Sequence, residues 1–268
     1  MKSYFDRDVL RYWQDHEVFL LASRILDKCD LALHTQTIQV TPFIPQALKV
    51  WLETFLTRHN LSFFVEGGFP EAERVRLAIA PFGFKLVAED AKVTVVWAFP
   101  VNQVERLEHR KVLGSLINLG LKREVIGDIR QGKIGVYVAA TKEIAAFLIN
   151  DWNKTGKTSI EVIYPVEELS LQPDQGEVLR ITVASPRIDA VLAEGFGVSR
   201  TLAQNWIDQG KIKRNDLIVL KNDTGVRVGD MISCRGQGRL SLGETKPTRK
   251  GRIAWNVTVF RAKRHRKD

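Results

Sequence analysis

The residues that interrupt regular structure between positions 185 and 216 confine the stretch "SPRIDAVLAEGFGVSRTLAQNWIDQGKIKRND" to two short helices followed by a hairpin. Ser185-Pro186 reads as a helix start, because a serine oxygen accepts from unpaired amides and proline suits the first turn. Ile188, Val191 and Leu192 then share one face at helical spacing and are expected in the core. Gly195 and Gly197 break the chain, and Ser199 reads as the next N-cap. Leu202, Ala203, Trp206 and Ile207 supply a second buried stripe, and Gly210 ends that helix. "KIKRNDLIVLKND" follows as a hairpin turning at Asn215-Asp216, two residues that tolerate left-handed geometry. "VRVGDMISCRGQGRL" adds another strand pair with a tight Gly229-Asp230 turn. Trp206 and Trp255 fit apolar stripes and read as core.

Charge placement indicates what such a unit binds. The formal net charge is +9. Residues 1–176 hold 21 Lys and Arg against 22 Asp and Glu, whereas residues 177–268 hold 19 against 9. The whole excess therefore sits in the last third. The terminal "RAKRHRKD" supplies five of those nineteen cations, so a solubilising tail does not account for the rest. A folded cationic unit points to a polyanion, and nucleic acid is the commonest one. Arg200 and Gln204 lie one helical turn apart and read as facing away from the Leu202/Ile207 side. Lys211 extends that row and Arg187 joins it from the preceding helix, beside two helix N-termini that also favour anions. Each arginine alone is equally well read as a solvated charge. The joint pattern is the specific feature.

The rest of the chain reads as two further regions. Residues 1–60 are mostly helical: "DVLRYWQDHEVFLLASRILDKCDLAL" and "PQALKVWLETFLTRHN" carry apolar residues at three- and four-residue spacings, separated by a turn or loop at "TPFIP". Residues 61–170 alternate. "LSFFVEG" reads as a strand, "PEAERVRLAIA" as a short helix, "KVTVVWAFP" as a strand and "HRKVLGSLINLGL" as a helix. "IGVYVAA", "TKEIAAFLINDWNK" and "SIEVIYP" continue as strand, helix and strand. Such alternation predicts a small α/β sandwich of ferredoxin-like or RRM-like topology, although composition alone does not separate it from a small doubly wound sheet. "VEELSLQPDQGE" (166–177) reads as a linker to the basic unit at 177–262, with a basic tail to 268.

"RIDAVL…SRTLAQNWIDQGKIKRND…VRVGDMISCRGQGRL" closely resembles the S-four RNA-binding domain, or alpha-L motif. Arg187 and Asp189 match its opening Arg-x-Asp, Ser199 and Arg200 its Ser-Arg, and Gly210, Lys211 and Asn215 its Gly-basic…Asn turn. Gly229-Asp230 and Arg235-Gly236 match its closing strands, while Asp216 stands where many members have glycine. The segments "GGFPEAERVRLAIAP", "HRKVLGSLINLGLKREVIGDI" and "TKPTRKGRIAWNV" are similar to those of the YlmH family of bacterial and plastid S-four proteins, which includes a photosystem II S4-domain subgroup. The resemblance runs from about residue 60 to 262 and is loose before that. It implies an α+β chain with a helical N-terminal region, an RRM-like middle domain and a C-terminal S-four domain. It further implies binding to structured RNA (rRNA, tRNA) and association with the large ribosomal subunit, in rescue of stalled ribosomes or in ribosome assembly. The candidate RNA contacts are Arg187, Asp189, Ser199, Arg200, Gln204, Lys211, Lys213, Arg214, Arg235 and Arg239. A second contact is expected from Arg110, Lys111, Lys122, Arg123 and Arg130, the last three within "GLKREVIGDIRQGK", which reads equally well as a solvated loop.

Other chemistries are set aside. Cys29 and Cys234 lie far apart and fit no zinc or disulfide framework, which suits a reducing, cytoplasmic compartment (stroma in a plastid-bearing source). The N-terminal "MKSYFDRDVL" does not read as a signal peptide, and no apolar run reaches the length of a membrane span. "GQGRLSLG" lacks the strand–turn–helix context of a nucleotide loop and reads as a strand bend. The five histidines are scattered, and Asp128 beside Gly127 reads as a turn former. "VYVAATKE" lacks the Phe-Val-x-Phe pattern of RRM proteins, so base stacking on the middle sheet is not expected. No catalytic residue, metal, cofactor or small-molecule substrate is expected. The expectation is a non-enzymatic RNA-binding factor. The alternatives are an RNA-modifying enzyme that docks through its S-four domain and a scaffold linked to photosynthetic machinery.

Overall fold

The computed structural model describes residues 4–13, 15–102, 106–166, 169–171, 176–248 and 251–261. The basic tail after Arg261 and half of the expected linker, 167–168 and 172–175, lie outside the described residues. The chain divides into two compact units, Met1–Pro173 and Asp174–Asp268.

The first unit begins with a short 3-10 helix, Arg7–Tyr12, and the long helix α1, His16–Thr35. Asp15 caps α1 by accepting from the amides of Glu17 and Val18, and Leu21, Ala22, Ile25, Leu26 and Cys29 form its buried stripe. Two short strands, β1 (Gln39–Val40) and β2 (Ile44–Pro45), lead into α2, Gln46–Arg58. Strands β3 (Leu61–Glu66) and β4 (Arg74–Pro81) complete this layer, with β4 pairing antiparallel to β1, β2 and β3.

Two expectations are corrected here. "PEAERVRLAIA" is not a helix: residues 75–81 are all buried in β4, so neither face reaches water and no helical stripe is needed. Pairing with three strands outweighs the helix preference of its Ala, Glu and Leu residues. Arg76 shares this burial because its guanidinium donates to the carbonyls of Thr41, Ala91 and Lys92. Residues 61–81 also belong to the N-terminal layer and not to the middle sheet, since no ladder joins the two.

The middle domain runs β5 (Val93–Pro100), α3 (His109–Asn118), β6 (Ile126–Gln131), β7 (Val136–Thr141), α4 (Lys142–Asp151), β8 (Lys154–Thr155) and β9 (Thr158–Ile163). The antiparallel sheet is ordered β6-β7-β5-β9-β8, the ferredoxin-like arrangement of a βαββαβ chain. Val96, Ala98, Val138 and Ala140 pack on one face against Val112 and Leu116 of α3 and Ala145 and Leu148 of α4.

The segment expected as a second RNA contact or a solvated loop contains strand β6. This strand pairs with β7, but its register shifts between Ile126 and Ile129, so Gly127 and Asp128 form a bulge. Asp128 is buried and accepts from the amides of Glu73 (2.8 Å) and Arg74 (3.1 Å), with Arg130 3.1 Å away. It is therefore an anchor between the middle domain and the segment before β4, and not a turn former. Gly127 is needed on the other side of the bulge, where an added Cβ would lie 2.6 Å from the Phe43 ring. Arg24 and Glu124 close the same seam at 2.7 Å.

The second unit holds β10 (Glu177–Val183), α5 (Ile188–Phe196), α6 (Arg200–Asp208), β11 (Ile212–Arg214), β12 (Leu217–Ile218), β13 (Met231–Cys234), β14 (Gly238–Pro247) and β15 (Ile253–Arg261). Its antiparallel sheet runs β10-β15-β14-β13-β11-β12, with α5 and α6 packed on one face through Ile188, Val191, Leu192, Ala203, Trp206 and Ile207. Trp255 joins that core. Asn215 and Asp216 both adopt left-handed backbone (φ 51° and 68°), so aspartate takes a turn position that usually favours glycine.

Four local readings differ. The N-cap of α5 is Arg187, because Ser185-Pro186 leads into an isolated bridge between Arg187 and Gly225. Gly195 lies inside α5, where an added Cβ would press on Leu240 at 2.7 Å, and only Gly197 terminates the helix. Leu202 is 40% exposed, since α6 turns Ala203, Trp206 and Ile207 inward. The β13–β14 turn is at Arg235–Gln237, and Gly229-Asp230 leads into β13.

Replacing Asp128 by Ala removes the acceptor shared by two backbone amides and a guanidinium. Urea unfolding followed by circular dichroism is expected to show a loss of about 2–3 kcal/mol, the usual cost of breaking a buried charge-assisted set.

Candidate nucleic-acid interface

The interface in the second unit is organised by the start of α5. Asp189 sits one residue inside that helix, with its side chain fully buried among core neighbours. Its carboxylate accepts from Nε and Nη2 of Arg187 (3.3 and 3.2 Å), from Nε and Nη2 of Arg200 (3.0 and 3.2 Å) and from Nε2 of Gln204 (3.0 Å). The Ala190 amide adds a contact at 2.8 Å. α6 delivers Arg200 and Gln204 together because they are four residues apart, and Ser199 fixes that helix start by accepting from the Leu202 amide at 3.2 Å.

The arginines are therefore not the free surface row expected from the sequence. Each guanidinium engages the buried carboxylate through its Nε and Nη2 edge, which leaves Nη1 outside those bonds, and the side chains stay exposed at 38% (Arg187) and 52% (Arg200). Burial alone would raise the Asp189 pKa. Hydrogen bonds from Arg187, Arg200 and Gln204, with the Arg200 charge, outweigh it and hold the carboxyl at about 2. Arg187 is pushed up in turn, chiefly by its bond to Asp189. Asp189 is out of reach of any ligand, so among the candidate contacts it acts as a positioning residue. Two cations around one anion leave a net positive cluster with fixed forks, the geometry that matches phosphate oxygens.

The remaining candidates sort by what they touch. Beyond α6, the Lys211 amide closes the helix on the Trp206 carbonyl (3.0 Å), and the Lys211 carbonyl accepts from the Arg235 amide (2.9 Å). Lys211 and exposed Arg235 are thus neighbours just past the ends of β11 and β13. Lys213, Ser233 and Arg239 lie opposite one another on successive strands, on the face away from the helices. Arg239 stacks over Phe260 at 4.7 Å. Arg214 turns inward to the Gly225 carbonyl and lies 3.9 Å from Asp230, which also holds Asn215 (2.8 Å) and the Arg227 amide (2.8 Å). Arg214 therefore braces the loop before β13.

The second group does not converge. Arg110 and Lys111 open α3, where Lys111 pairs with Glu108 at 2.9 Å, while Arg130 is spent on Asp128 and the Glu71 carbonyl. Lys122 and Arg123 sit on the turn before β6, and the Arg123 carbonyl accepts from Arg74. Cys29 and Cys234 are both buried, which pushes their thiols up to about 12 and about 11, outside the range of reactive thiolates. Among the described residues, no cluster of three or more His, Cys, Asp and Glu could hold a metal. No described helix is long and apolar enough to cross a membrane.

Comparison with known proteins follows the same divisions. Residues 21–83 match the family model "YlmH, N-terminal", residues 89–168 match "Putative RNA-binding domain in YlmH", and residues 186–232 match "S4 domain". The first of these ends at residue 83, after the strands that the fold assigns to the N-terminal layer. The chain is 29% identical over 233 residues to "Ribosome-associated protein quality control protein P2" of Bacillus subtilis (strain 168), covering 84% of this chain and 88% of that protein. It is also similar to a solved structure, "Cell division protein ylmH from Streptococcus pneumoniae", with 21% identity and a TM-score of 0.49 over 57% of this chain and 93% of that one.

Because the Asp189 pKa is depressed, its contribution to stability is present above the unfolded carboxyl value near 4 and is lost as pH falls toward about 2. Asp189→Asn is expected to destabilise the chain at pH 7 by on the order of 1–2 kcal/mol, a figure reduced because both arginines are partly solvated. Denaturant titrations at pH 7, 4 and 2.5 should show the gap between wild type and variant closing across the acid step.

Proposed function

The chain belongs to the YlmH family and carries an S4 domain, and from that premise we propose that it is a non-enzymatic RNA-binding factor of the ribosome. The partner is structured RNA (rRNA, tRNA or both) on the large ribosomal subunit, and the role is rescue of stalled ribosomes or ribosome assembly. The observation that carries this reading is the Arg187–Asp189–Arg200 cluster, placed in the unit that holds the whole excess of positive charge. The B. subtilis relative is described as a ribosome-associated quality control protein, which supports the same setting.

The mechanism is electrostatic capture with restricted geometry. Double-helical RNA presents phosphates and 2′-hydroxyls, and its deep groove excludes side chains, so affinity comes from cations set at fixed spacing. Arg187 and Arg200 offer Nη1 groups left outside the Asp189 bonds, on guanidiniums whose orientation is set before contact, which lowers the ordering cost of binding. Lys211 lies beyond the far end of α6. That nine-residue helix is about 13 Å long, so Arg200 and Lys211 stand near its opposite ends as two separate phosphate contacts. Lys213, Arg235 and Arg239 extend the positive field, and Arg214 contributes through the loop it braces.

Charge reversal of Arg200 and Lys211 in the full chain tests this reading. Binding to large ribosomal subunits and to transfer RNA is expected to weaken across sequences, and the slope of log affinity against log salt to flatten by about one unit per lost phosphate contact. Unchanged affinity and slope in a folded double variant would remove these residues from the contact surface.

A further inference from the structure

The middle domain covers one face of its sheet with α3 and α4 and leaves the other without a helix. The N-terminal layer closes only part of that other face. Gly68 lies so near Val93, Val95 and Ala139 that an added Cβ would meet them at 2.9–3.2 Å, and Phe43 packs beside Gly127 and Ala139. Further along the same strands stand Trp97 and Phe99 of β5 and Tyr137 of β7. The Trp97 ring is 4.4 Å from Phe99 and 6.1 Å from Tyr137, nearly parallel to the latter at 19°. Trp97 and Phe99 are half-buried, whereas Tyr137 lies deeper, as a floor. The Trp97 indole is fixed by donating Nε1 to the Ile134 carbonyl at 2.8 Å.

Charge around these rings selects the occupant. Arg130, opposite Tyr137 in the register, is held by Asp128 and the Glu71 carbonyl and adds no free charge, whereas Lys133 is exposed on the loop that holds the indole. Exposed Lys154 lies opposite Ser159 on the same face; Glu161 beside Phe99 opposes it, while Asp128 of β6 is taken up by Arg130 and the Glu73 and Arg74 amides. Fixed rings inside a mainly cationic rim are what sequence-tolerant binding of a single strand requires, since every base has a π-face and every nucleotide a phosphate. β5 and β7 are adjacent central strands with Trp97 directly opposite Tyr137, so the rings lie side by side on one face. The rings come chiefly from "VVWAFP", not from the strand searched for a Phe-Val-x-Phe pattern.

We propose that Trp97 and Phe99, floored by Tyr137, form a second site that stacks the bases of unpaired RNA. The site adds to the RNA-binding reading above and rests on it only for the class of partner.

The test uses the full chain, with heptauridylate as the unpaired probe and a blunt RNA hairpin as the paired one, followed by fluorescence anisotropy. Wild type is expected to bind both. Trp97→Leu and Phe99→Leu should each weaken heptauridylate by about fivefold or more, the value of one lost stack, and leave the hairpin unchanged. Trp97→Phe should restore most of the loss. Ultraviolet crosslinking of heptauridylate to wild type should fall on the peptides holding residues 97 and 137, a readout that does not need the variants to fold. Heptauridylate that fails to bind, that crosslinks elsewhere, or that binds folded Leu variants as tightly as wild type overturns the proposal. Leu variants whose sole change is lost self-association overturn it in favour of a protein contact. Hairpin binding that fails while heptauridylate binding holds would instead count against the S4 reading.

Discussion

The Asp189 carboxylate, taken out of water at the start of α5, is the constraint around which the basic unit is arranged. A buried anion is costly unless its oxygens are fully bonded, and here two guanidiniums, an amide side chain and a backbone N–H supply those bonds. The same contacts tie α5 to the first turn of α6, so the pose of the two helices and the aim of the two arginines are set by one group. Removing the carboxylate would leave the cations in place but free to turn. In the RNA-binding role proposed above, a negative residue at the centre of a positive face serves to orient the cations around it.

Asp128 plays a comparable part in the first unit. Its bulged strand gives up a regular ladder step, and the displaced carboxylate gains the amides of Glu73 and Arg74. Gly127 makes room for Phe43 on the adjoining surface. The middle sheet is therefore docked to the N-terminal layer over one end of its open face. The aromatic end of that face is left for other use, so a packing decision at 127–128 and the availability of Trp97 belong to the same arrangement.

Several features were legible in the sequence because local chemistry dictates them. Ser199 as a cap, Gly197 and Gly210 as helix ends, and Asn215-Asp216 as a left-handed turn each follow from what a single residue permits. Others were not legible, because partners far along the chain overrode local preference. "PEAERVRLAIA" has helix-favouring composition, yet three strands and a covering helix make it the centre of a sheet. Leu202 sits at a spacing that suits a buried stripe, yet the roll of α6 leaves it outside. Arg200 and Gln204 were placed on one face correctly, but spacing does not say whether that face meets solvent or a buried acid eleven residues earlier.

Sequence by itself determined the kind of partner and the unit that meets it: charge is additive along a chain, and nineteen cations against nine anions in the last third persist in any fold. It also determined the mixed α+β class, since periodicity and turn residues act over a few positions. Tertiary structure alone decided which cations are aimed and which are consumed. Arg187 and Arg200 stay partly exposed with Nη1 outside their bonds to Asp189, whereas Arg214 and Arg130 are turned to carbonyls and carboxylates. Hydrogen-bond direction depends on atoms brought within about 3 Å from distant positions, and no local pattern encodes that distance.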